Sequence, residues 1–374
     1  MNLGLGERWR LNFGDYYNNE TVSLHYNATG KLTPGRYKAG LRVHAVIFLI
    51  VSVFTILENL LVFIAIRKNS KFHTPMFYLL ANLTMSDLLA GVTYLVNILL
   101  SGANTIKLTP LWWFLREGGV FITLTASVFS LLAIAVERHV TMVRMQLHNT
   151  DKKWRTRLFV GADWIFSFFL GSLPILGWNC IGNLRVCSTM LPLYSKKYIL
   201  VCILIFIFVL CAIVILYVRI YLKVKTNSLP IGTSRTTMSK KCQKSQALLK
   251  TLTIVVGTFI GCWLPLFIVL LLDVASTTRS SLISNLADYC LGLAMLNSAL
   301  NPVIYTLTNR DMRQTIVRLL CLTKVGEQPR CCGVIISEFS STQQDRSSMH
   351  RHELLHTTLS SGNGPQSPTR ISLV

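Results

Sequence analysis

Seven long apolar runs divide this sequence, and nothing else in it constrains the fold as strongly. They cover residues 43–66, 75–101, 112–143, 158–178, 197–224, 247–273 and 283–307. A helix needs about 20 apolar residues to cross the hydrocarbon core of a bilayer. Lipid offers no hydrogen bonds to an open backbone, so each run reads as a spanning helix. The expected fold is an all-α membrane protein, a seven-helix bundle over 43–308. Composition agrees: of 374 residues, 51% are hydrophobic and only 14% charged, too few charges to cover a water-soluble surface. A formal charge of +21 would suggest nucleic acid in a soluble protein. Here the basic residues lie between the apolar runs, which favours a membrane and no nucleic acid. No internal repeat is visible, which argues against a transporter of duplicated halves.

An odd number of spans puts the two termini on opposite sides. The links after the first, third and fifth runs are basic, with Arg67, Lys68 and Lys71, then Arg144, Lys152, Lys153, Arg155 and Arg157, then Lys223, Lys225, Arg235, Lys240, Lys241 and Lys244. The alternate links carry only Lys107, Arg185, Lys196, Lys197 and Arg279. The positive-inside rule therefore places the N-terminus outside and the C-terminus inside. Residues 1–42 are then an extracellular segment, in which Asn19 and Asn27 begin glycosylation sequons. Cys180 and Cys187 fall in the second outside link and read as a disulfide or as two free thiols. Residues 309–320 alternate basic and apolar positions at helical spacing, as in a short amphipathic helix on the inner leaflet. Cys321 follows as a palmitoylation candidate. Residues 321–374 read as a disordered cytoplasmic tail. Its end, Ser372-Leu373-Val374, resembles a PDZ-binding terminus.

Polar residues inside the apolar runs are costly and mark candidate sites. Asn59 lies in the first run, Asp87 in the second, Ser127 in the third, and Asn297, Ser298 and Asn301 in the seventh. One carboxylate with several neutral oxygens suits a hard cation such as sodium. Equally, such residues form hydrogen-bond networks that hold helices together. Glu137-Arg138-His139 closes the third run. There the acid either holds the arginine in an intrahelical pair until a partner competes for it, or is an interfacial charge with no further role. Pro302 in Asn301-Pro302-Val303-Ile304-Tyr305 and Pro265 in Cys262-Trp263-Leu264-Pro265 permit kinks in the seventh and sixth runs. Two kinks and a breakable charge pair describe a bundle able to open inwards.

At the outer end of the third run stand Arg116 and Glu117, followed by apolar residues. Arg116 offers a planar donor fork to phosphate or carboxylate, and Glu117 would meet an ammonium. Val120, Phe121, Leu124, Leu266, Phe267 and Leu291 could line a channel for a lipid tail below them. The plainer alternative is a local ion pair of little energetic value.

Asn59, Asp87, Glu137-Arg138-His139, Trp164, Cys262-Trp263-Leu264-Pro265 and Asn301-Pro302-Val303-Ile304-Tyr305 fall in the order and helices of the rhodopsin-like G-protein-coupled receptors. More narrowly, HYNATGKL at 25–32, NILLSGA at 97–103, WFLREGGVF at 113–121, LPILGWNC at 173–180, CSTMLPLYSKKY at 187–198 and LTNRDMR at 307–313 resemble the sphingosine 1-phosphate receptors over about residues 24–320. The subtype-five members look most similar, notably in FHTPMF, REGGVF and LGLAMLNS.

The resemblance implies a plasma-membrane receptor for sphingosine 1-phosphate that activates heterotrimeric G-proteins, of the Gi and the twelve/thirteen classes, and performs no catalysis. It assigns the phosphate to Tyr26, Lys31 and Arg116, and the amino-alcohol head to Asn97, Ser101 and Glu117. It makes Trp263 the coupling from ligand to the sixth helix. Glu137, Arg138, Tyr217, Asn301, Pro302 and Tyr305 become the G-protein machinery. Asp87, Ser127, Asn297, Ser298 and Asn301 become an allosteric sodium pocket. The N-terminal segment caps the pocket, so the lipid would arrive sideways from the membrane. Phosphorylation of hydroxyls in 337–361 and arrestin binding are further expectations. Two departures stand out. Trp113 occupies the position where most rhodopsin-like receptors have a cysteine, which leaves Cys180–Cys187 as a bridge within the loop, as in this family. Ser276 and Ser281 replace a second bridge usual in the third outside loop. Asp163, beside Trp164, has no functional account from sequence. The rival functions are a receptor for another lysophospholipid such as lysophosphatidic acid, and, remotely, a lipid transporter.

Overall fold

The computed structural model describes residues 13–29, 31, 43–143, 149–227, 237–276 and 281–322. Seven long helices carry the apolar runs: α2 (Val43–Lys68), α3 (Pro75–Leu99), α4 (Pro110–Val143), α5 (Asn149–Ser172), α6 (Lys196–Asn227), α7 (Thr237–Ala275) and α8 (Ser281–Thr308). A short helix, α1 (Asn19–Ala28), precedes them, and α9 (Arg310–Leu322) follows. The tail beyond 322, with the PDZ-like end and the 337–361 hydroxyls, lies outside the described residues. The bundle belongs to a unit of residues 1–313, and a second unit begins at residue 314.

Local chemistry sets several boundaries. Asn18 caps α1 by accepting from the Glu20 amide at 2.9 Å. Pro75 opens α3 and Pro110 opens α4, where the missing N–H costs nothing. The fourth apolar run differs from its expected span of 158–178. Its helix starts in the basic stretch at Asn149 and stops at Ser172. Pro174 disfavours helix for the residue before it, and 173–177 form turns instead. Six of the seven helices are apolar enough over 18 residues to span a membrane by composition alone, and α5 is the exception. Charged residues fill its first turns and Asp163 interrupts the rest.

Asp163 faces other helices. Its Oδ2 accepts from Asn82 Nδ2 of α3 at 2.7 Å and Ser130 Oγ of α4 at 2.8 Å. Trp164 Nε1 donates to Asn82 Oδ1 at 2.9 Å. The carboxylate thus joins α3, α4 and α5 in one buried node, which removes the penalty of an unpaired polar group in lipid. Close approach of α4 and α5 continues at Gly171, where a Cβ would lie 2.4 Å from Ile122 Cγ1. Around the bundle, α2 packs on α3 and α8, α4 on α3, α5 and α6, and α7 on α6 and α8. The α2–α8 contact closes the ring.

One end carries α1 and the loop 173–195, and is called the cap end here. The loop is folded by the Cys180–Cys187 disulfide and by antiparallel bridges of Asn179 with Tyr194 and Cys187 with Ser195. Tyr16 Oη accepts from Asn179 Nδ2 at 2.7 Å, His25 Nδ1 bonds the Pro192 carbonyl at 3.0 Å, and Lys31 Nζ donates to the Met190 carbonyl. Asp273, at the cap end of α7, accepts from Ser188 Oγ at 2.6 Å and from the Thr189 amide at 3.1 Å. Lys196 Nζ donates to the Ser276 carbonyl. The cap end of α7 is therefore tied to the loop by polar contacts, in a chain whose Ser276 and Ser281 cannot form a disulfide.

Candidate functional site

Beneath α1, four of the six head-group candidates share one polar cluster. Arg116 Nη2 and Nε donate to Glu117 Oε1 at 2.7 and 3.0 Å. Asn97 Nδ2 donates to the same oxygen at 3.1 Å. The remaining reach of Arg116 is fixed by its Nη1, which donates to the Leu100 carbonyl at 2.8 Å and to Thr105 Oγ1 at 3.0 Å. Leu100 ends α3, and Thr105 sits in the 3-10 turn Gly102–Lys107. That turn folds back because Gly102 takes a positive φ of 65°. Side-chain exposure is 4% for Arg116 and 14% for Glu117, so this is a sheltered pair and not the exposed contact of the plainer reading.

Tyr26 completes the cluster. Its hydroxyl accepts from Trp113 Nε1 at 3.0 Å. Burial pushes the phenol up to about 12, so it stays protonated and can donate its own hydrogen. Lys31 lies near it, with Nζ 6.0 Å from the Tyr26 ring centroid. Ser101 stands apart: it is exposed, and its hydroxyl donates to the Ile98 carbonyl of its own chain segment at 2.7 Å. Sequence reasoning missed Trp113, Thr105 and the Leu100 carbonyl as the groups that hold Tyr26 and Arg116.

The apolar candidates divide similarly. Trp263 and Phe267 are buried in an aromatic column, with centroids 5.9 Å apart, Phe259 on one side and Phe206 on the other. Phe121 meets Tyr194 edge-on at 5.3 Å. Val120 packs on the buried cluster of Ala90, Tyr94 and Met295. Leu266 is buried and Leu124 half-buried. Leu291 is 40% exposed, on the surface of α8.

Deeper in the bundle, Asp87 is fully buried and receives three hydrogen bonds. Its Oδ1 accepts from Ser127 Oγ at 2.8 Å and Ser298 Oγ at 2.9 Å, and its Oδ2 from Asn301 Nδ2 at 2.8 Å. Asn59 Nδ2 reaches the Ser298 carbonyl at 3.1 Å. The side-chain oxygens of Asn59, Asn297 and Asn301 are buried with no donor among the described residues. A buried carboxylate with hydroxyls on it, and unmatched amide oxygens in the same bundle, is a donor set of the kind a hard cation takes, so these residue types fit sodium.

At the opposite end of α4, of the two readings of Glu137-Arg138, the intrahelical pair is not formed among the described residues. Glu137 Oε2 accepts instead from Arg155 of α5, at 2.9 Å from Nε and 2.6 Å from Nη2. Arg155 reaches across the α4–α5 seam and places two N–H groups on that one oxygen. Arg138 Nε, Tyr217 Oη and Tyr305 Oη are buried without a partner among the described residues. Pro302 sits inside α8 and Pro265 inside α7 as expected.

Of the modification candidates, Cys180–Cys187 is bridged, which fixes the open choice between disulfide and free thiols. Both sulfurs lie close to His25, but a disulfide offers no thiolate, so this trio is no metal site. Asn27 is exposed on α1, and Cys321 is a free, half-buried thiol on α9.

The chain has known relatives. The family described as 7 transmembrane receptor (rhodopsin family) matches residues 58–305. The chain is 49% identical over 337 residues to sphingosine 1-phosphate receptor 1 of Danio rerio, covering 88% of this chain and 92% of that one. It is 53% identical over 310 residues to sphingosine 1-phosphate receptor 5 of Homo sapiens, covering 81% and 78%. Against sphingosine 1-phosphate receptor 2 of Homo sapiens it is 48% identical over 314 residues, covering 84% and 86%. With a family match over 58–305 and relatives 48–53% identical over most of both chains, this chain belongs to the sphingosine 1-phosphate receptors, within the rhodopsin family of seven-transmembrane receptors.

Proposed function

We propose that this receptor binds sphingosine 1-phosphate at the cap end, which faces the outside of the plasma membrane, and activates heterotrimeric G-proteins at the other. The observation that carries the reading is the sheltered Arg116–Glu117 pair, at 2.7 Å. Four of the five N–H groups of this arginine are spent, two of them on the carboxylate, so a two-pronged contact with a phosphate draws it off Glu117. A ligand with a phosphate alone would strand Glu117 in a desolvated site, and breaking a buried pair costs about 3–5 kcal/mol. A zwitterion replaces both partners: its phosphate takes Arg116, with Tyr26 and Lys31, and its ammonium takes Glu117, with Asn97. Lysophosphatidic acid lacks the ammonium, which disfavours the nearest rival.

The bound lipid biases the bundle towards a state that receives the G-protein, because it binds that state better. Trp263, in the aromatic column below the head group, supports a role in relaying this bias to α7. Arg138, Tyr217 and Tyr305, with buried unmet polar atoms at the far end, are the groups proposed to meet the G-protein. Asp87, Ser127, Ser298, Asn297 and Asn301 would hold sodium, which supplies positive charge at Asp87 and favours the closed bundle. Gi and twelve/thirteen coupling, arrestin recruitment by the tail, a PDZ partner at Val374, glycans on Asn19 and Asn27, and palmitate on Cys321 belong to the same reading. The test is GTPγS loading in membranes across a lysophospholipid panel and several Gα proteins. Selective loading by sphingosine 1-phosphate is expected. Equal response to lysophosphatidic acid would overturn the zwitterion reading, and lipid flux without nucleotide exchange would favour a transporter.

A further inference from the structure

The far end of α4 holds a second sheltered ion pair. Side-chain exposure is 5% for Glu137 and 19% for Arg155. Every acceptor bond Glu137 makes among the described residues goes away from its neighbour. Oε2 takes the two-pronged contact from Arg155, and Oε1 takes Thr141 Oγ1 at 3.0 Å. No ion pair joins Glu137 to Arg138 among the described residues, and Arg138 Nε is left without a partner. Two further unmet groups, the hydroxyls of Tyr217 and Tyr305, come from α6 and α8.

One carboxylate thus stands between two guanidinium groups and serves the more distant one. The choice has a physical basis. A desolvated carboxylate requires a cation, and Arg155 meets this one with two N–H groups of a planar fork while Arg138 makes no ion pair with it among the described residues. If the fork is removed, the neighbour becomes the nearest replacement. We propose that Arg155 is a positioning residue for G-protein coupling: by occupying Glu137 it keeps Arg138 out of an intrahelical pair and open to the incoming protein. This rests on the coupling reading above. It assigns to the α4–α5 seam a setting of receptor responsiveness that involves no ligand contact. Arg155→Gln then acts through Glu137 alone, and this dependence separates positioning from a direct G-protein contact.

The experiment is ligand-free and lipid-stimulated GTPγS loading of Gi-class protein in membranes with matched surface receptor, for Arg155→Gln, Glu137→Gln and the double variant. Arg155→Gln is expected to lower both loadings roughly two- to tenfold. Glu137→Gln raises the ligand-free loading, because no carboxylate is left to draw Arg138 into a pair, and the double variant matches Glu137→Gln. Arg155→Lys, which keeps a cation but loses the fork, falls between, and carries the comparison in both backgrounds if Arg155→Gln fails to reach the surface. An equal fall in the Glu137→Gln background, or no fall at all, overturns the proposal. Absence of loading by every preparation, the unaltered receptor included, overturns the coupling reading and this proposal with it.

Discussion

Trp113 donates its indole N–H to Tyr26 Oη across 3.0 Å, joining α4 to the helix that lies over it. The residue occupying the usual cysteine position of the third span thus anchors the cap by a hydrogen bond. Because burial holds the Tyr26 phenol neutral, accepting from Trp113 leaves its own proton for a ligand. Tyr26→Phe removes both links. It should weaken sphingosine 1-phosphate potency roughly fivefold, about 1 kcal/mol for one hydrogen bond, in a GTPγS dose–response at equal surface expression. Unchanged potency would remove Tyr26 from the head-group site.

Glu117→Gln should reduce sphingosine 1-phosphate potency by about 3 kcal/mol, roughly a hundredfold, since it leaves a buried ammonium without its anion. The same change should cost lysophosphatidic acid less, or improve it. Arg116→Ala should damage both, as both carry phosphate. Dose–response for the two lipids on the two variants checks this, and equal losses for Glu117→Gln would rule out recognition of the ammonium.

His25 supplies a pH dependence. Burial lowers its pKa below 6.5, partly offset by the bond to the Pro192 carbonyl. Because that oxygen only accepts, Nδ1 carries the proton of the neutral ring. The unfolded or undocked cap therefore binds more protons than the docked one. Docking is fully favoured above the ordinary histidine pKa and weakens as pH falls through it. The protection factors of residues 19–28, in which the intrinsic pH dependence of amide exchange is divided out, should fall from about pH 7.5 to 5.5, and His25→Gln should flatten that change. A slope that persists in His25→Gln would assign the effect elsewhere.

If sodium at Asp87 favours the closed bundle, as proposed, it should weaken agonist affinity at constant ionic strength. Asp87→Asn removes the charge but retains an amide able to bond Ser127 and Ser298. It should abolish the sodium dependence, measured by radioligand competition in sodium against N-methylglucamine. An undiminished sodium effect would leave Asp87 as the hydrogen-bonded centre of α3, α4 and α8 only.

The parts of this molecule that were legible in the sequence are those fixed by short-range chemistry. Apolar length announces each span, and Arg116 and Glu117 are neighbours, so their pairing needs no folding to foresee. The end of α5 was misplaced because apolar character continues through Pro174 although the helix cannot. Partners brought together by packing were illegible. Glu137 and Arg155 are 18 residues apart, Tyr26 and Trp113 are 87 apart, and Ser188 and Asp273 are 85 apart. Arg155 in particular reads as one more basic residue of an inside link. Only the packing of α5 on α4 brings it to Glu137.

The Cys180–Cys187 bridge spans a sequence separation of seven and leaves the loop covalently joined to no helix but its own two flanks. The loop is in effect a prefabricated part, rigid inside and fastened outside by hydrogen bonds to Tyr16, His25, Lys31 and Asp273. Reduction of the bridge would therefore soften the loop from within while leaving those outer fastenings in place.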